Sequence, residues 1–172
     1  AANCRVPLVG DDHGDLRRPV QALGVDVPAL LGQDVPAAGR KPGEIAEVNS
    51  KLLVEDLFVL LSPPASMVLT AGGSLPVIHA QHAPLEQVLR NLINNAIKHH
   101  PTKQGSVTVY AQDKGDEVLF AVEDDGAGIP AEFTEKVFQM FQTLKPRDEI
   151  EGSGMGLAIV KRIVEWQGGR IW

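Results

Sequence analysis

Residues able to do chemistry gather in three short stretches of the second half of the chain: Asn91-Leu92-Ile93-Asn94-Asn95-Ala96, Asp124-Asp125-Gly126-Ala127-Gly128 and Gly152-Ser153-Gly154-Met155-Gly156-Leu157. The first offers two amide side chains four residues apart. The second offers a carboxylate followed by glycines, and the third a glycine-rich loop running into an apolar pattern. A phosphate-bearing ligand needs such parts, because backbone N–H groups approach it only where side chains are absent and a helix start favours negative charge. Together the three stretches describe a nucleotide pocket.

On a helix, Leu85, Val88, Leu89, Leu92, Ile93, Ala96 and Ile97 form one broad apolar face. Asn91, Asn95 and Lys98 fall in an arc of roughly 60° beside it, at the boundary between core and water where a pocket forms. An Asn carbonyl oxygen is a suitable Mg²⁺ ligand when phosphates and waters fill the other positions, and Lys98 would neutralise phosphate charge. Asp124 leaves a strand over a loop with little bulk, where its carboxylate would accept a hydrogen bond from the exocyclic amino group of adenine. Guanine presents O6 there and has no proton to donate. The helix opened by Gly154 and Gly156 would set its first turn under the phosphates.

Each stretch alone has a plainer reading: a polar helix flank, an Asp-Gly turn, a flexible hinge. The third also departs from the Rossmann fingerprint, which follows a strand directly, and from the P-loop, which ends in Gly-Lys-Ser/Thr. An EF-hand calcium loop is disfavoured in the second, since the alternating acidic ligands and distal glutamate are missing.

The rest of the chain must position these groups. Its 172 residues, 44% hydrophobic and 22% charged, match one globular domain. A net charge of −6 argues against broad binding to nucleic acid. No apolar run approaches the ~20 residues of a transmembrane helix, so no membrane contact is expected of this chain itself. The lone Cys4 excludes an internal disulfide and suits a reducing, cytoplasmic compartment.

Residues 1–42 alternate Pro7, Pro19, Pro28, Pro36 and Pro42 with five glycines, which predicts an irregular arm with at most a helical piece near Val20 to Leu31. From 43 onward the rhythm becomes regular. A strand over Glu44 to Asn49 leads into a helix carrying Leu52, Leu53, Leu57, Leu60 and Leu61, which Pro63 and Pro64 stop. Short strands over Ser66 to Ala71 and Pro76 to Ala80 flank Gly72-Gly73, and Pro84 lies in the opening turn of the amide-bearing helix. Ser106 to Gln112 and Val118 to Glu123 pattern as a hairpin. Helices are predicted over Ala131 to Phe141, where Phe133, Phe138 and Phe141 form a packing base, and over Gly154 to Gln167. Between them the charged segment Gln142 to Ser153 reads as a lid, with Lys145 or Arg147 able to reach a phosphate. Gly168-Gly169 ends the last helix, and Arg170-Ile171-Trp172 reads as the opening of a strand that is cut off.

In this order and spacing the segments resemble the catalytic ATP-binding domain of sensor histidine kinases, within the larger GHKL ATPase group. Leu85 to His99 is similar to the N box, Asp124 to Gly128 to the first glycine box, Phe138 to Phe141 to the F box and Gly152 to Leu157 to the second glycine box. The resemblance covers residues 43–172 and implies an α/β (α+β) fold, a two-layer sandwich with about three helices on one face of a mixed, mostly antiparallel sheet. It implies ATP and Mg²⁺ as ligands, with Asn95 on the metal, Asn91 and Lys98 at the phosphates and Asp124 reading adenine. Gly126, Gly128, Ile129, Gly152, Gly154, Met155, Gly156 and Leu157 complete the implied nucleotide-binding positions. Related ATPases carry a water-activating glutamate where Asn91 stands, so its absence fits transfer to a protein acceptor.

The implied partners are a helical dimerisation and histidine phosphotransfer module and a response regulator, in a homodimeric parent protein that is cytoplasmic or anchored to a membrane elsewhere. Two alternatives keep the pocket and change its use: a non-catalytic ATP-sensing module, and a protein-serine kinase of the anti-sigma-factor type. Upstream, His13-Gly14-Asp15-Leu16-Arg17-Arg18-Pro19 imperfectly echoes the acceptor-histidine motif, with an extra glycine, so residues 1–42 read as a degenerate remnant of that region. His79, His82, His99 and His100 read as surface or pocket-edge residues, with no cysteine or carboxylate repeating at zinc spacing.

Overall fold

The structure, a computed structural model, describes residues 21–28, 44–115, 117–134, 136–139 and 154–172. Strand β1 (Gln21–Pro28) comes first, followed by β2 (Ile45–Asn49) and helix α1 (Ser50–Leu61). Asn49 caps α1, its side chain accepting from the Lys51 and Leu52 N–H groups at 3.1 Å. Strands β3 (Met67–Ala71) and β4 (Val77–Gln81) precede the long helix α2 (His82–His99). The hairpin of β5 (Gly105–Asp113) and β6 (Glu117–Asp124) leads through two short 3-10 turns to α3 (Gly156–Trp166) and β7 (Arg170–Ile171).

Five strands form one sheet in the order β3-β5-β6-β1-β7, and β2 pairs with β4 in a separate two-stranded ladder. Among the described residues only the β3–β5 pair is parallel; every other pair is antiparallel. The register sets Val109 opposite Val122, Phe120 opposite Val25 and Val118 opposite Val27, so these side chains share one face. That face meets Leu53, Val54 and Leu57 of α1, the apolar stripe of α2, and Leu157, Val160 and Val164 of α3 in a single core. The expected two-layer sandwich with three helices over a mostly antiparallel sheet is therefore the observed architecture.

Two local expectations are corrected. Residues 21–28 are neither irregular nor helical but an eight-residue strand running between β6 and β7, so the sheet extends across the anticipated boundary at 42/43. The alternation of Val25 and Val27 with Gly24 and Asp26 buries two valines on the helix face, which outweighs the poor strand propensity of glycine and aspartate. The helix anticipated over Ala131 to Phe141 is instead two 3-10 turns, Ala131–Phe133 and Lys136–Phe138. Val137 and Phe138 still pack against the core. Cys4, His13, Phe141, Gly152 and the charged segment 142–153 lie outside the described residues.

Candidate nucleotide site

Helix α2 is the spine of the site. Its Leu85, Val88, Leu89, Leu92, Ile93 and Ala96 are buried, which fixes its rotation and leaves Asn91, Asn95 and Lys98 partly exposed along one flank. The amide oxygen of Asn91 faces the start of α3: a β-carbon placed on Gly156 would stand 3.9 Å from Asn91 Oδ1. Among the described residues no side chain caps the N-terminus of α3, whose preceding residue is Met155. The opening N–H groups of a helix have no partner within it, so this end suits an anion. Leu157 is anchored in the core, and what it can offer a phosphate is its backbone N–H. Met155 is exposed and Ile129 partly exposed.

At the other end of α2, about 14 Å along the helix from Asn91, lies the exit of β6. Strand alternation turns Asp124 toward the helix-covered face shared by Val122 and Phe120. Its Oδ1 accepts from the Gly126 N–H at 2.9 Å. A β-carbon on Gly126 would come within 2.6 Å of that oxygen, so only glycine leaves the carboxylate its place. Gly128 (φ 78°) and Gly154 (φ 66°) both hold left-handed backbone, a conformation that would strain any residue with a β-carbon.

Burial raises the pKa of Asp124, assisted by the neighbouring Asp125 charge and opposed by the Gly126 N–H and by His100. Asp125 behaves differently. Burial pushes it up, but the Ser106 N–H and the His100 ring together bring it below the ordinary carboxylate value. The two adjacent acids are thus separated in proton affinity, the arrangement expected where one of them has a binding task.

Asn91, Asn95, Lys98, Asp124, Gly126, Gly128, Gly154 and Gly156 are therefore distributed along one helix and the two loops that meet it. Gly152 lies outside the described residues. His100, expected at the surface or pocket edge, is not at the surface: it is 7% exposed and bonded to Asp125 beside the Asp124 loop. The available signal was its position between the end of α2 and Pro101, opposite a second acid that the pocket itself does not require.

Residues 80–172 match the model of the histidine kinase-, DNA gyrase B- and HSP90-like ATPase family. The phytochrome-like protein Cph1 of Synechocystis is 44% identical over 100 residues, 58% of this chain and 13% of that protein. The methanogenesis regulatory histidine kinase FilI of Methanothrix harundinacea is 39% identical over 135 residues, 76% of this chain and 14% of that protein. The chain thus spans about one seventh of the length of these relatives. Among solved structures, the nucleotide-free catalytic domain of histidine kinase ThkA superposes with a TM-score of 0.63 at 30% identity, covering 75% of this chain and 86% of that one. Full-length ShkA in complex with AMPPNP gives 0.58 at 30% identity, covering 74% of this chain and 27% of that one. With its fold, motif order and matched span in agreement, the chain belongs to the histidine kinase-, DNA gyrase B- and HSP90-like ATPase family and carries a sensor histidine kinase ATP-binding domain.

Proposed function

We propose that the domain holds Mg²⁺-ATP with its γ-phosphoryl group projecting toward a histidine on a separate helical dimerisation module, as the catalytic half of a two-component kinase. The observation that carries this reading is the polarity of α2. Its middle faces the uncapped start of α3 through Asn91 and Gly156, and its end meets the Asp124 loop. A nucleotide laid along that flank places its base at Asp124 and its phosphates at Asn91, Lys98 and the first turn of α3. ShkA, of similar fold, was solved with AMPPNP, an ATP analogue, which supports an adenine nucleotide as the ligand.

The donors also suit Mg²⁺. Asn91 and Asn95 present neutral, hard oxygen ligands on the half-exposed flank of α2, leaving the phosphates to supply the negative ones. Asn95 would hold the ion, whose role when bound is to neutralise phosphate charge. Ile129 and Met155 would cover the nucleotide from the glycine segments. Transfer breaks the bond between the γ-phosphorus and its bridging oxygen as a bond to the acceptor imidazole nitrogen forms, and ADP leaves. This chain contributes positioning and charge stabilisation to that step. A response regulator would then take the phosphoryl group, in a cytoplasmic assembly that is homodimeric through the helical module. No helix among the described residues is long and apolar enough to cross a membrane.

Calorimetric titration with ATP and GTP, on the parent chain and on Asp124→Asn, tests the pocket. ATP should be preferred by the parent and the preference lost in the variant; equal affinity of the parent for both nucleotides would refute the reading. Radiolabelled ATP with a matched, folded helical module tests the acceptor. Acid-labile label on that module is expected, whereas acid-stable label would assign the serine-kinase class and no label an ATP-sensing role.

A further inference from the structure

We propose that His100 is a positioning residue for adenine recognition, tying the end of α2 to the loop that aims Asp124. This rests on the reading of Asp124 as the adenine-binding carboxylate and deepens it.

Among the described residues only Asp26, Ser50 and His100 are polar or charged and buried. Ser50 is satisfied by the Pro76 carbonyl and Asp26 by two cations in the sheet. His100 instead sits at the site. It ends α2 with extended backbone, and its Nε2 lies 3.1 Å from Asp125 Oδ1. A carboxylate held ionised can only accept, so Nε2 carries the proton of this bond. The same oxygen accepts from the Ser106 N–H at 2.8 Å, and Asp125 N–H returns a bond to the Ser106 carbonyl at 3.3 Å. Three segments, the end of α2, the start of β5 and the exit of β6, therefore meet at one oxygen atom. Gly105 leaves room for it: a β-carbon there would fall 2.6 Å from His100 Nε2 and closer still to Asp125 Oδ1.

Asp124 stands directly above this junction. Its carboxylate is folded onto the Gly126 N–H, and the His100 ring forms the floor of that turn, 3.5 Å from where a Gly126 β-carbon would be. The second ring nitrogen lies 3.4 Å from Thr102 Oγ1, whose hydroxyl proton goes to the Gln104 carbonyl at 2.8 Å, so Thr102 packs against this side of the ring. The acids facing the ring are Asp124 and Asp125, both from the exit of β6. A buried ring bonded through Nε2 holds Asp125, and Asp125 in turn fixes the backbone from which Asp124 projects. The helix that attends the phosphates is thereby coupled to the group that reads the base.

The test is titration of the full chain with ATP and with GTP, comparing parent, His100→Leu and His100→Gln, each checked for folding by circular dichroism. His100→Leu should weaken ATP about tenfold, the scale of one hydrogen bond to a charged group, and leave GTP within about twofold. The base preference then collapses. His100→Gln, whose amide N–H can occupy the place of Nε2, should restore most of the preference. Equal weakening of both nucleotides, or a parent-like ATP to GTP ratio in the leucine variant, would overturn the proposal. If His100→Leu does not fold, His100→Asn replaces it, because its shorter amide does not reach Asp125. An asparagine variant matching the glutamine variant in base preference would then overturn it. A parent chain without ATP preference is a separate result that removes Asp124 as the base reader and this proposal with it.

Discussion

Lys114 Nζ lies 2.8 Å from Asp26 Oδ1, joining the turn between β5 and β6 to a carboxylate with no solvent exposure. Arg170 of β7 reaches the other oxygen at 2.9 Å, so a single acid secures β1 to both neighbours. The Lys114 ammonium also sits 5.3 Å from the ring centre of Trp172. Replacing Asp26 with alanine removes the shared acceptor. Lys114 and Arg170 are 35% and 71% exposed and can turn to water, which moderates the loss to about 1–3 kcal/mol. Urea denaturation should show this as a lowered midpoint with unchanged slope; a parent-like midpoint would show that the clamp is idle.

That clamp also explains why β1 escaped a reading of the sequence. Helix α2 and the β5–β6 hairpin are legible because their signals are local: apolar residues at helical spacing from Leu85 to Ala96, and alternation ending in Asp124-Asp125-Gly126. The determinants of β1 are remote. Gly24 suits its place because the Trp172 ring lies where a β-carbon would come within 2.8 Å of Cε2, and Asp26 is tolerated because Lys114 and Arg170 arrive from elsewhere in the chain. Locally, the same residues between Pro19 and Pro28 suggest only interruption. The site divides in the same way. The glycines and amides could be read from their order, whereas the His100–Asp125 bond depends on the fold bringing the end of α2 beside the exit of β6.

Acidification should release nucleotide before it weakens the loop. Burial raises the Asp124 pKa above 3.8, and the adenine recognition proposed for it would use the ionised form, so on that proposal ATP affinity should fall as pH drops through that raised value. The stability contribution of a raised carboxyl has the opposite sense: it is fully present below 3.8 and lost as pH rises through the folded-state value. Asp125, held low by the Ser106 N–H and His100 against a small desolvation penalty, contributes stability above 3.8 that is lost only as pH falls through its lower folded value. ATP titrations from neutral pH to about 4, run beside circular dichroism, should therefore lose binding while the fold persists. Coincident loss of both would contradict this order, and Asp124→Asn should flatten the binding profile.

Gly126→Ala is expected to act on Asp124 without touching its charge. The added methyl would meet Asp124 Oδ1 at 2.6 Å and the edges of Pro101 and His100 at 3.4 and 3.5 Å, and the carboxylate is the part able to rotate away. Rotation breaks the bond to the Gly126 N–H and redirects the acceptor proposed for adenine. ATP affinity should fall about tenfold, the equivalent of one charged hydrogen bond, with a stability loss of about 1 kcal/mol or less for a partly exposed turn. Calorimetry and thermal melting separate the two effects. A variant that keeps parental ATP affinity would show that the observed carboxylate position is not the one that binds.

Asn95→Ala separates the metal from the rest of the pocket. Asn95 lies one helical turn beyond Asn91 on the flank of α2, so alanine preserves helix propensity and leaves the buried stripe intact. What it removes is one neutral oxygen donor. If that oxygen ligates Mg²⁺, the parent chain should bind ATP more tightly with Mg²⁺ than with a chelator present, and the alanine variant should bind with the same weaker affinity in both conditions. The metal-free affinity of the two proteins should agree within about twofold, because the proposed hydrogen bonds accepted by Asp124 and donated by the α3 N-terminus would not involve the ion. Titrations with and without Mg²⁺ on both proteins provide the four values needed. An undiminished Mg²⁺ enhancement in the variant would move the ligand away from Asn95, and a parent without any enhancement would remove the metal from the site.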